Sequence, residues 1–266
     1  MRKLESYEQL RSLMSEIRSL KNGYVTNFYW DENKHPYWIE KEELFYKELE
    51  GCVILVHKNE TFFNLFFIAV NYETVTSTIN SINLDSPQVL DLVCRGDGRN
   101  ERDVFRRIGF KDYRYLYRMS HVGPMASPDW SIDDDVKCGC VDDSLAVSEV
   151  FRRDFDPLCE QLPSLAEIND FAERKQMLII KDDEKLCGVL IFESTGVTWY
   201  LRYWYTAPEY RNKGVGAKLL RTALVLGKDT KRQLFWVISD NDNAIKRYEH
   251  YGFKREDMND YVIIKR

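Results

Sequence analysis

Residues 100–114, NERDVFRRIGFKDYR, and residues 243–257, NAIKRYEHYGFKRED, align on a shared Gly-Phe-Lys, with Asn100 opposite Asn243. An apolar segment precedes each copy, VLDLVC at 89–94 and QLFWVI at 233–238. Another strand-like segment follows each, YLYRMS in the first copy and DYVIIKR in the second. Gly-Phe-Lys alone would recur by chance, but the matched flanks indicate a duplicated unit of strand, short helix, Gly-Phe and strand. Duplication constrains the fold strongly, because both copies must bury the same apolar faces in the same chain order.

A chain of 266 residues is comfortable for two small domains. Between the copies lies SHVGPMASPDWSIDDD (120–135), rich in Gly, Pro, Ser and Asp, which punctuates rather than packs. The expected domains are therefore 1–125 and 130–266. In the first, Leu4, Leu10, Leu13, Met14 and Ile17 fit one face of an opening helix. A hairpin over 52–70 and a helix around 72–82 follow. In the second, the strand VKCGCV (136–141) precedes helices around 143–154 and 163–174. QMLIIKD and LCGVLIFES then form a hairpin across the polar turn 182–185, and VTWYLRYWYT (197–206) is the next strand.

With 38 basic and 43 acidic residues the formal charge is -5, which provides no general attraction to nucleic acid or to an anionic membrane. The charged residues Glu5, Glu8, Arg11, Glu16 and Arg18 break any signal-like apolar core near the N-terminus. No apolar run reaches membrane-spanning length, and a cytoplasmic protein is expected. The six cysteines are scattered, and the four histidines do not cluster with them. Free buried thiols are expected, with no disulfide framework and no metal site.

The segment YRNKGVGAKLL (210–220) carries the densest chemical signal. Pro208 ends the preceding strand, since it lacks a ladder donor. Gly214 and Gly216 stand where a helix over 214–226 begins, with Arg211, Lys213 and Lys218 nearby. Main-chain N–H groups at such a start suit a diphosphate. A Walker loop is absent. A dinucleotide fingerprint lacks its third glycine, because position 219 is Leu. The pattern Arg-x-x-Gly-x-Gly is present, yet spacing alone equally describes an ordinary glycine-started helix.

WYTAPEYRNKGVGAKLL (204–220), then a strand, then NDNAIKRYEHYGF (241–253), resembles the coenzyme A binding core of the GNAT superfamily of N-acetyltransferases. The likeness covers residues 136–266 and rests on two separate motifs in the right order. Asn212 departs from it where the family often has glycine. The resemblance implies an α/β (α+β) fold of two GNAT-like domains, each a mixed, mostly antiparallel sheet flanked by helices. It implies that Arg211, Asn212, Lys213, Gly214, Val215, Gly216 and Ala217 hold the coenzyme diphosphate. The strand end at Trp204, Tyr205 and Thr206 would pair with the pantetheine arm. Asn241, and more weakly Asn243, match the family asparagine beside the coenzyme, and Tyr248 matches its acid, with Tyr251 as the fallback.

The resemblance also implies acetyl-CoA as donor. The second domain, the aromatics Trp199, Tyr200, Tyr203 and Trp204 and the mild acidity favour a small-molecule amine as acceptor. No metal and a monomer or homodimer are expected. No nucleic acid or membrane partner is expected. Glu193 and Glu209 are the available carboxylates for a base, though such residues are more often solvated surface charges, and a water chain or binding of the neutral amine would also serve. Arg202, odd on so aromatic a strand, needs either a buried acidic partner or an acidic ligand. The first half has no glycine between Gly51 and Gly96 and lacks the Arg-x-x-Gly-x-Gly element, so it reads as a degenerate copy. Two other readings stay open, an aminoacyl-tRNA-dependent transferase and a non-catalytic coenzyme or metabolite sensor.

Overall fold

The repeat reappears in the computed structural model as two compact units, Met1–Leu116 with Asp257–Arg266, and Tyr117–Glu256. All residues are described except Asn22, Ala126 and Pro128, of which the last two belong to the expected linker. Among the described residues no helix is long and apolar enough to cross a membrane. Gly109 and Gly252 close equivalent helices at φ +95° and +90°. There Phe110 N donates to Phe105 O at 3.2 Å and Phe253 N to Tyr248 O at 3.1 Å, the six-to-one bond of a left-handed helix stop. The Gly-Phe of the repeat is thus a helix terminator used twice.

The boundary differs from the one expected at 125–130. The strand Lys111–Val122 passes from the first unit to the second after Leu116, and the strand Lys254–Lys265 returns to the first at Asp257. The reason is pairing, since Asn259–Lys265 run antiparallel to Gln88–Cys94 in unbroken register. Val262 and Ile263 are fully buried there. The C-terminal residues therefore complete the sheet of the first unit, not that of the second.

In the first unit the sheet order is Arg2–Lys3, Leu44–Leu49, Cys52–Lys58, Phe63–Ala69, Gln88–Cys94 and then the C-terminal strand. Its central hairpin is apolar at consecutive positions, as expected of strands covered on both faces. One face packs Ile54, Val56, Phe67 and Leu90 beneath the helices Tyr72–Asn80 and Arg99–Arg106. The other packs Val53, Leu55 and Phe66 against Leu10, Met14 and Ile17 of the helix Tyr7–Arg18. Leu4 precedes that helix and is buried with it. Each such side chain contributes about 1.5–3 kcal/mol when fully buried.

His35 and His57 lie inside this second layer, at 4% and 6% exposure. His57 stacks on Trp38 at 3.7 Å, and His35 Nδ1 accepts from Asp31 N at 2.8 Å. Burial, and next the Lys34 charge, lower both imidazoles to about 3. Both pKa values fall on folding, so the unfolded chain binds the extra protons between pH 6.5 and about 3. Stability is therefore lost as pH falls through that window. At pH 4.5 the loss is about 2–3 kcal/mol per histidine. Thermal melts should show the midpoint dropping between pH 7 and 4.5, with a shallower drop in His57→Phe. An unchanged slope in that variant would refute the assignment.

In the second unit the order is Tyr117–Val122, Arg232–Ile238, Thr198–Thr206, Lys185–Thr195, Met177–Asp182 and Lys137–Cys138. The last strand is shorter than VKCGCV suggested. The helix Val215–Leu226 covers one face of this sheet with Leu219, Leu220, Ala223 and Leu224. The helices Ser144–Asp154 and Leu165–Glu173 cover the other. Glu256 accepts hydrogen bonds from Ser120, Arg118 and Arg232. Burial alone would raise its pKa, but these bonds hold it down at about 2.

All six cysteines are free thiols, as expected, but not all are buried. Cys52, Cys159 and Cys187 are, and Cys94 is half-buried, whereas Cys138, on the edge strand Lys137–Cys138, and Cys140, the N-cap of the 3₁₀ turn that follows it, are exposed.

Candidate active site

The site begins with a sheet irregularity. Opposite the strand Lys185–Thr195, Phe192 faces Leu201 and Ile191 faces Tyr203, so Arg202 is an extra residue in a β-bulge. A bulge bends its strand and sharpens the twist. On its other side the strand runs parallel to Arg232–Ile238, with register only at Thr198↔Arg232, Trp199↔Gln233 and Tyr200↔Leu234. Pairing stops where the bulge begins. The edge from Leu201 to Thr206 then diverges from its neighbour and can pair with an extended ligand.

The bulge also accounts for Arg202. Its guanidinium bonds Glu193, 8% exposed on the adjacent strand, and Arg174 approaches the same carboxylate at 3.8 Å. Of the two readings, the ion pair is the one present. Glu209 is paired with Lys185 at 2.5 Å. Both sequence-predicted base carboxylates are therefore engaged with cations.

Beyond Thr206 the chain makes one 3₁₀ turn, Pro208–Tyr210, and enters the helix Val215–Leu226. Asn212 adopts φ +62°, a conformation asparagine tolerates better than most residues, where the family pattern often has glycine. Gly214 is the N-cap at φ +84°, and no side chain caps the helix. The first intrahelical bond runs from Lys218 N to Gly214 O. The N–H groups of Val215, Gly216 and Ala217 consequently precede the helix's own bonding pattern. A methyl on Gly216 would lie 3.0 Å from Thr206 Oγ1 and 3.2 Å from the Trp204 ring, so close helix-to-strand packing requires its absence.

A cavity of about 300 Å³ opens in front of these amides. Thr206, Arg211, Asn212, Gly214, Val215, Gly216 and Ala217 line it, together with Tyr210, Arg221, Arg247, His250 and Tyr251. Three of the lining residues are arginines and none is acidic, and the helix has no acidic residue in its first turn. A helix N-terminus and arginine side chains together make an anion site, suited to a diphosphate. Lys218 does not add to this charge, because Asp133 and Asp135 pair with it. Nor does Lys213 line the cavity; its ammonium lies 5.0 Å above the Tyr210 ring.

Other predicted residues fall around the cavity rather than on it. Trp204 packs behind Gly216, 5.4 Å from the Tyr248 ring. Tyr205 turns to the opposite face, where its hydroxyl accepts from Arg153 at 3.2 Å, which leaves its backbone for the ligand edge. Asn241 caps the helix Asp242–His250 by accepting from Ala244 N at 3.2 Å, and Asn243 is exposed in the first turn. Tyr248, on the inner face of this helix, is 7% exposed among Phe235, Trp204 and Phe253. Burial pushes its phenol well above the ordinary range, with Arg247 opposing. It is protonated at neutral pH.

Sequence reading missed Tyr210, Arg221, Arg247 and His250. Arg247, His250 and Tyr251 stand at i, i+3 and i+4, one helix face, and that spacing was the available signal.

Residues 144–253 match the acetyltransferase (GNAT) family. No protein of curated function matches the sequence. Among solved structures, a GCN5-related N-acetyltransferase from Sphaerobacter thermophilus is similar over 87% of this chain and 85% of that one, at 11% identity and a TM-score of 0.59. A GNAT-family acetyltransferase from Colwellia psychrerythraea is similar over 99% of this chain and 98% of its own, at 13% identity and a TM-score of 0.56. A tandem GNAT protein from the clavulanic acid biosynthesis pathway is similar over 80% and 78%, at 9% identity and a TM-score of 0.55. At these identities the likeness is one of fold. The family match includes the bulge, the glycine-started helix and Tyr248.

Proposed function

The second unit carries a GNAT acetyltransferase domain, and from that premise we propose that the chain is an acetyl-CoA-dependent N-acetyltransferase for a small-molecule amine, working by direct attack in a ternary complex. The domain makes the chain an acyltransferase of the GNAT type, a family that transfers acyl groups from acyl-CoA to amines. The observation that carries the finer reading is the uncapped helix start facing a cavity with three arginines, beside a strand edge freed by a bulge.

Acyl-CoA supplies a thioester whose carbonyl an amine can attack. The amides of Val215, Gly216 and Ala217, with Arg211, Arg221 and Arg247, hold the diphosphate. The edge Leu201–Thr206 orients the pantetheine arm through main-chain bonds. As the amine nitrogen bonds the carbonyl carbon and the C–S bond breaks, Tyr248 donates its phenol proton to the departing sulfur. The proton shed by the nitrogen passes to solvent, from which Tyr248 is reprotonated. With Glu193 and Glu209 both paired, the amine is taken up neutral.

Tyr248→Phe tests the assignment of roles. It removes one oxygen from an apolar setting, so the fold and acetyl-CoA affinity should persist. Steady-state kinetics should show kcat lower by about 100-fold, the usual scale of general acid catalysis. An unchanged kcat would remove Tyr248 from the mechanism.

A further inference from the structure

Among the described residues the two units share one order of α-helices and strands, except that the first carries the strand Val25–Thr26, which has no counterpart among the described strands of the second. It lies where the second unit keeps its open edge. Phe63–Ala69 and Gln88–Cys94 are parallel and hold register only at Phe63↔Gln88 and Asn64↔Val89, then diverge. Here the divergence is filled. Val25 and Thr26 run antiparallel opposite Ala69 and Ile68. Asn27 N donates to Phe67 O at 3.3 Å, and Thr26 Oγ1 donates to the same carbonyl at 2.6 Å.

The Asn27 side chain bridges the two strands. Its amide nitrogen donates to Leu65 O and to Asp91 O, each at 3.1 Å, one carbonyl on either strand. Its oxygen accepts from Phe67 N at 2.7 Å. Phe28, 2% exposed, is anchored in the core against Phe66 and His35. The neighbouring helix start is closed as well. Asn71 caps it by accepting from Thr74 N at 2.8 Å, and Glu73 places a negative charge in the first turn. Gly214 has neither feature.

We infer that residues 25–28 are a plug bound in cis, occupying in the first unit the slot that takes an extended, amide-bearing ligand in the second. The chain therefore binds acyl-coenzyme at one site only. The inference rests on reading the second unit as the coenzyme site. The slot presents the carbonyls of Leu65, Phe67 and Asp91 and the Phe67 N–H, a row suited to an amide, and Asn27 supplies a primary amide to it.

Two measurements on the full chain test this, a calorimetric titration with acetyl-CoA and hydrogen exchange of the Phe67 amide by NMR. Titration should saturate at one equivalent per chain. The Phe67 amide should exchange slowly with or without acetyl-CoA. In Asn27→Ala its exchange should accelerate by at least tenfold, with residues 198–206 unchanged. Saturation at two equivalents overturns the plug, as does a wild-type Phe67 amide that exchanges freely or slows only on adding acetyl-CoA. Absence of any binding sinks the reading of the second unit instead, while Phe67 exchange in the wild type still judges the plug. That wild-type measurement also decides the matter if Asn27→Ala does not fold.

Discussion

Gly214→Asp is expected to weaken acetyl-CoA binding by about 100-fold while leaving the fold intact. The substitution puts a carboxylate at the positive end of the helix, where the amides of Val215–Ala217 precede the helix's own bonds. The carboxylate competes for those amides and repels a diphosphate. A loss of about 3 kcal/mol corresponds to the expected change. Destabilisation should be small, because a side chain at position 214 meets nothing within 4 Å. What remains is backbone strain at φ +84°, about 1–2 kcal/mol for a residue with a Cβ. Calorimetry and a thermal melt on one preparation separate the two effects. Unaltered affinity would mean that the helix start does not hold the coenzyme.

The second large effect concerns where the chain can be cut. A fragment of residues 130–266 corresponds to the second half as the sequence divides it, and it should not fold cooperatively. It lacks Tyr117–Val122, the neighbour of Arg232–Ile238, and with it Arg118 and Ser120, two of the groups that bond Glu256. It also leaves Asn259–Lys265 without Gln88–Cys94, exposing Val262, Ile263 and Ile264. Unpaired apolar edges favour association over folding. Circular dichroism should show no sigmoidal transition. A fragment that melts cooperatively and retains activity would contradict the strand exchange.

Much of this architecture was legible before folding. The repeat announced two similar units, and its glycines proved to be the left-handed stops of equivalent helices. Pro208, Gly214 and Gly216 marked a strand end and a helix start, because each restricts or frees the backbone locally. The strand exchange was not legible. Residues 257–265 read as an apolar strand in either unit, and only long-range pairing decides which sheet they join. Arg202 looked anomalous for the same reason: a bulge depends on the register of a partner strand. The plug was the least visible feature, since Thr26 and Asn27 have no sequence signature and act through carbonyls some 40 and 60 positions away.

The central claim is that the amides of Val215, Gly216 and Ala217 grip the diphosphate of an acyl-coenzyme. Its most direct test follows their backbone NMR signals as acetyl-CoA is added to the intact protein. Saturable shifts of all three at one equivalent, weakened by added salt, are predicted. Signals that stay in place through a large excess would contradict the account.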